Sequence, residues 1–185
     1  MTVQLRAPRE DELAEIAELA NRVSGELFGE REETEATVGL WLTAPELDRA
    51  HDIRVAVSDG VLVGYADIAP HPEPKYWLDV RIPPSADAET RDALIAWGEA
   101  RARKRGAELI RAFAYEQDER GKQALERHGY ELIRHSYRMR IRPRRRSAGA
   151  GMAGGSHGPT RGRDGVRGGV RDTHGDLRGL LGARA

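Results

Sequence analysis

Two carboxylates stand where acid–base chemistry could be done. Asp79 and Glu116 fall near the C-terminal halves of two runs that read as adjacent strands, KYWLDVRI and LIRAFAYE, and a carboxylate so placed can take a proton from a bound group. The same positions suit plain solvated strand carboxylates. Tyr130 and Tyr137, in YELIRHSYRMRI, are candidate proton donors or packed amphipathic residues. A third stretch, VRIPPSADAETRDALIAWGEARARKRG from 80 to 106, reads as strand, turn and helix, the layout in which backbone N–H groups and a helix dipole hold an anion. Its turn contains no glycine. Side chains at Ala86, Glu89 and Arg91 keep backbone amides away from a phosphate, and Glu89 adds a repelling charge. Arg91 could offer a charge-assisted contact instead. The plainer reading is an acidic helix start, capped by Ser85 or Asp87 with Asp87 and Glu89 on the dipole.

Other chemistries are set aside by composition. With no cysteine there is no disulfide framework, thiolate nucleophile or cysteine-ligated zinc. The six histidines, His51, His71, His128, His135, His157 and His174, never fall at a helical ligand spacing, so no metal is expected. The literal G-x-G-x-x-G at Gly149, Gly151 and Gly154 neither follows a strand nor opens a helix, and is set aside as a dinucleotide site. Arg144, Arg145 and Arg146 have no interleaved aromatic residue to stack a base, so only nonspecific electrostatic contact with nucleic acid is expected. No apolar run is long enough for a bilayer, and MTVQLRAPRE lacks a secretory layout; the expectation is a soluble, cytoplasmic protein with no membrane partner.

The elements that must position these residues follow from periodicity. VQLRAP reads as a short strand ended by Pro8. DELAEIAELANRV carries a helical stripe of Leu13, Ile16, Ala17, Leu19, Ala20 and Val23, and a second helix spans Thr34 to Thr43 before Pro45. DIRVAVSDGVLVGYADIAP then reads as two strands joined at Ser58-Asp59-Gly60. KYWLDVRI follows the HPEP link, a helix runs from Ala88 to Arg105 with Gly106 as stop, and LIRAFAYE, DERGKQALERHG and YELIRHSYRMRI give strand, helix and strand. The order is β-α-α-β-β-β-α-β-α-β.

That order, and the closing segment DERGKQALERHGYELIRHSYRM with its Gly129-Tyr130 pair and terminal Met139, resembles the GNAT family of acyl-CoA-dependent N-acetyltransferases over residues 3 to 141. The resemblance implies an α/β fold with a mixed central sheet. It implies acetyl transfer from acetyl-CoA, as cosubstrate, to a small-molecule amine or peptide amine by direct attack. In the family the fourth strand splays from its neighbour at a bulge, so the resemblance assigns cofactor contacts to the backbone of Leu78, Val80 and Ile82, with Arg91 and Asp118 beside the phosphates. Two family glycines are replaced here by Glu89 and Arg91, so cofactor binding is expected to be weak. The family's usual tyrosine proton donor is replaced by Leu125, which leaves Asp79, Glu116 and Tyr130 as candidate catalytic groups. The alternative is a catalytically inactive GNAT-like structural or ligand-binding domain.

Residues 142 to 185 differ in kind from the body. They hold ten Arg and three Asp with neither Lys nor Glu, so the tail carries +7 against −7 for the body. Twelve of the 21 glycines lie there, and few large apolar residues besides Leu177, Leu180 and Leu181. Such a segment cannot offset chain entropy by burial, and the expectation is disorder. Its Gly/Arg/Ala composition also suits a GC-rich gene read in a shifted frame, which would make it the displaced start of a second GNAT domain in a tandem protein. The alternative is a natural disordered tail.

Overall fold

The computed structural model describes residues 3–31, 33–72 and 74–137, together with the backbone of 138 and of 176–184. Met139, Arg144 to Arg146, the Gly149, Gly151, Gly154 motif and most of the segment read as frame-shifted lie outside the described residues.

The elements in chain order are β1 Gln4–Arg6, α1 Leu13–Phe28, α2 Glu35–Leu42, α3 Arg49–Asp52, β2 Ile53–Ser58, β3 Val61–Pro70, β4 Lys75–Arg81, α4 Ala88–Lys104, β5 Leu109–Tyr115, α5 Glu119–Arg127, β6 Glu131–Arg138 and β7 Asp176–Arg184. The sheet order is β1-β2-β3-β4-β5-β7-β6. Every pairing is antiparallel except β4 with β5. Local chemistry sets the boundaries. Asp59 and Gly60, with φ of 50° and 79°, form the two-residue turn that the β2–β3 hairpin needs. Thr34 caps α2 by accepting from the Thr37 N–H, and Asp87 caps α4 by accepting from the Thr90 N–H.

Period-two alternation along the strands sends side chains to two cores. On one face Ala66, Ile68, Tyr76, Leu78, Ile110 and Ala112 meet Leu94 and Ile95 of α4. On the other, Ile53, Val55 and Tyr65 meet Ile16 and Leu19 of α1 and Val38 of α2. Gly98 lets α4 lie close on β4, because a Cβ there would fall well inside contact distance of the fully buried Leu78 side chain. Gly98→Ala is therefore expected to lose about 1–3 kcal/mol, despite the ~1 kcal/mol that alanine adds to a helix interior. Urea unfolding measures this, and an unchanged midpoint would mean that Leu78 repacks freely.

The structure departs from the sequence reading in three places. The four-residue α3 was not expected; its aspartate Asp52 is buried and takes hydrogen bonds from Arg101 and Arg105. Within the segment expected to be disordered, Asp176–Arg184 forms β7, paired with β5 on one side and β6 on the other. Strand pairing uses backbone N–H and C=O groups that every non-proline residue carries, so a glycine-rich composition does not forbid it. The bulge expected in β4 is also absent: β4 pairs residue for residue with β3 from Tyr76 to Arg81, and register shifts lie instead between Ala56 and Val57 of β2 and between Leu132 and Arg134 of β6.

Candidate active site

The parallel pair β4–β5 is joined only from Lys75↔Leu109 to Leu78↔Ala112. Beyond Leu78, β4 continues to Arg81 with β3 as its strand partner, while β5 continues to Tyr115. The strands part there without any bulge. The gap is a cleft of about 80 Å³ whose walls include Asp79, Val80, Ile82, Ala112, Phe113, Ala114 and Tyr115. Its far wall is Leu125 and Gly121 of α5. Small and branched apolar side chains make a lining suited to an extended chain whose amides pair with a strand edge.

On the α1/α2 side of the sheet, aromatic and charged groups stand against the lining residues Asp79, Phe113 and Tyr115. Trp77 and Phe113 stack at 4.6 Å, and Phe28 meets Tyr115 edge-on at 4.9 Å. Arg81 donates from Nε and Nη2 to Oδ2 of Asp79 at 3.1 and 3.0 Å, lies 3.8 Å over the Trp41 ring and comes within 3.7 Å of Glu33. Burial opposes the Arg81 charge, but Asp79, Tyr115 and Glu33 outweigh it, and its pKa is raised.

The outer end of the cleft is closed by the protein's own groups. Arg91 is 5% exposed; its Nη1 donates to Oδ2 of Asp118 at 3.0 Å and its Nη2 to the Pro83 carbonyl at 3.3 Å. Asp118 spends its other oxygen capping α5 through the Gly121 N–H at 2.9 Å. Gly121 is required, since a Cβ there would collide with that carboxylate. Outside this ion pair lies a second pocket of about 380 Å³, lined by Ser85, Ala86, Arg91, Arg120, Gln123 and Arg127. Arg91 borders both spaces and separates them. Turn donors are also engaged: the Ser85 N–H and hydroxyl both donate to Glu26 of α1, at 3.0 and 2.8 Å.

Each residue assigned from the sequence can now be placed. Asp79, Leu78, Val80 and Ile82 line the cleft together. Arg91 and Asp118 lie at its outer end, engaged with each other rather than presented to a ligand, because one buried charge is stabilised by the other. Glu116 is exposed past the end of β5 and is not in the lining. Tyr130 is 3% exposed in the α4/α5 core, away from the cleft. Burial, reinforced by Glu99, raises its pKa, which makes it a poorer proton donor. Tyr137 is exposed on β6. Glu89, also exposed, sits in the first turn of α4. The sequence reading missed Asp67, Arg81, Arg120 and Arg127, whose relation to the site depends on strand register and on the approach of α5 to α4.

No family model and no curated protein matches the sequence. Solved structures do match. An N-acetyltransferase from Sphaerobacter thermophilus is 20% identical with a TM-score of 0.66 over 72% of this chain, which spans only 44% of that one. A phosphinothricin acetyltransferase from Sinorhizobium meliloti, solved with acetyl-CoA, is 15% identical with a TM-score of 0.65, covering 100% of this chain and 89% of its own. The PaiA N-acetyltransferase of Thermoplasma acidophilum, solved with coenzyme A, is 14% identical with a TM-score of 0.58 and full coverage of both chains. With the parted β4 and β5 and the order of strands around them, these likenesses establish that the chain has the fold of the GNAT N-acetyltransferases.

Proposed function

We propose that the chain is an acyl-CoA-dependent N-acyltransferase that moves an acetyl group from acetyl-CoA to a small-molecule or peptide amine. The observation that carries this reading is the cleft where β4 leaves β5, walled by Asp79 on the side of the aromatic residues. When bound, acetyl-CoA supplies an acyl group activated as a thioester. Its arm would lie along the edge of β4 that β5 leaves unpaired past Leu78, around Val80. The outer corner does not fit a diphosphate as it stands, since Arg91 pairs with Asp118 and Ser85 with Glu26. Arg120 and Arg127 border that corner, Arg127 already bridged to Asp92 at 3.0 Å and Asp87 standing in the same lining. Such a cosubstrate implies the cytoplasm as the working compartment.

The chain's own part in the reaction is proton handling and positioning. An amine arrives mainly as ammonium and cannot attack until it loses a proton. Asp79 is the carboxylate on the β4 wall of the cleft, and its salt bridge to Arg81 fixes its orientation. Phe113 and Tyr115 line the cleft beside Asp79. Asp79→Asn is expected to lower kcat about 100- to 10,000-fold while leaving acetyl-CoA affinity within about twofold, since the cofactor arm meets backbone. Calorimetric titration tests the reading itself. Saturable heat with Kd below about 1 mM, near −4 kcal/mol, is expected. Absence of heat at that concentration would favour the second reading, a catalytically inactive structural or ligand-binding domain, which the closed outer corner supports.

A further inference from the structure

The cleft carboxylate has a partner behind it. β3 and β4 run in unbroken register, which sets Asp67 directly opposite Asp79 and Tyr65 opposite Arg81 on the same face. Residues so opposed have Cβ atoms roughly 4.5–5.5 Å apart, and like charges there destabilise the pair. Two carboxylates in that position settle by holding one proton between them.

The surrounding groups fix which carboxylate is left short of compensation. Both Arg81 hydrogen bonds land on Asp79, and Glu33, from the segment before α2, draws on the same guanidinium, as does Tyr115 of β5. On β3 the buried Tyr65 hydroxyl faces Asp67, and burial followed by the charge of Asp67 raises its pKa; its hydrogen bond favours the Asp67 carboxylate but does not outweigh burial and Asp79. Opposite on β2 stands the apolar Ile53. Burial, followed by the charge of Asp79, pushes the Asp67 carboxyl up to about 7.

We propose that Asp67 and Asp79 act as one proton-accepting unit, Asp79 meeting the acceptor amine in the cleft and Asp67 serving as a positioning residue that shares the proton Asp79 receives. This rests on the acyltransferase reading. The acceptor ammonium gives one proton to the carboxylate pair and the neutral amine attacks; as the C–N bond forms and the C–S bond breaks, the second proton on nitrogen passes to the departing thiolate directly or through water, and the pair then releases its proton to solvent. Below its titration the pair is already singly protonated and is a poor base. Above it the pair is doubly ionised and takes the proton readily, so activity rises with pH through the titration of Asp67. Asp67→Asn removes the like charge that keeps one proton on the pair, and leaves Asp79 with Arg81 alone.

The test is carried out on the full chain with two readouts. Carbon-13 carboxyl NMR of the unliganded protein is expected to show one carboxyl titrating near 7 that disappears in Asp67→Asn; titration of both groups near the ordinary ~4 overturns the proposal. With acetyl-CoA and benzylamine or cadaverine as probes, the acidic limb of kcat/KM is expected to move more than about one pH unit lower in Asp67→Asn, with about a tenfold lower plateau. A limb that does not move overturns the shared role even if the variant is slower. Titration near 7 without transfer to either amine sinks the catalytic role together with the acyltransferase reading. Thermal melting checks that Asp67→Asn is folded; should it not be, the NMR readout on the wild-type chain still decides.

Discussion

Replacing Asp52 with alanine is expected to lower stability by about 3 kcal/mol, the lower end of the range for breaking a buried ion pair. Asp52 is 1% exposed and holds three groups: Nε of Arg101 at 2.6 Å, Nη1 of Arg105 at 2.6 Å and the Asp48 N–H at 2.9 Å. The lower end applies because the arginines left behind are 18% and 22% exposed and can turn to water, whereas the aspartate cannot. Both arginines stand in or next to the last turn of α4, where cations also offset the helix dipole. The expected fall in Tm is about 10 °C. Removing both arginines together should cost more than removing Asp52, because it strands a buried anion. Urea unfolding with an unchanged m-value checks the ranking; a double-arginine variant more stable than Asp52→Ala would show that the aspartate is solvated when unpaired.

What could be read from the chain was set locally. The hairpin at Ser58-Asp59-Gly60, the α2 bounds at Thr34 and Thr43 and the Asp87 cap are each decided within a few residues, and each is found. The burial of Arg91 was also within reach: with Leu94, Ile95, Gly98 and Ala102 it falls on one helical stripe, all of it buried. Tyr130 carried a comparable signal, since its N–H donates to the Leu125 carbonyl just past Gly129, the position at which a helix end is commonly sealed by an apolar residue. Expecting catalysis from it gave chemistry precedence over packing. Other features had no local code. The link HPEP contains no turn pattern that fixes register, so the opposition of Asp67 and Asp79 was not legible, although both residues were in plain view. The clamp on Asp52 joins residues about fifty positions apart, and the four residues of α3 make barely one turn, too few to repeat a helical pattern.

Arg91→Ala is expected to destabilise the chain and at the same time tighten its hold on acetyl-CoA. Loss of the Arg91–Asp118 pair should cost about 3 kcal/mol, with Asp118 still tied to the Gly121 N–H. Affinity should nevertheless rise about tenfold, or ~1.4 kcal/mol, because the wild-type guanidinium stands between the inner cleft and the outer pocket and must leave Asp118 and Pro83 before a ligand can occupy both. Ser85→Ala should add less, since the turn would still hold the amide that donates to Glu26. The opposite sign is informative. If Arg91 turns outward on binding and meets the diphosphate, as a charge-assisted contact would allow, the alanine variant binds more weakly and loses part of its salt dependence. Calorimetry on both proteins at two salt concentrations separates the outcomes. Tighter binding identifies Arg91 as an obstacle that the missing glycines introduced; weaker binding identifies it as their replacement, released from Asp118 by the ligand itself.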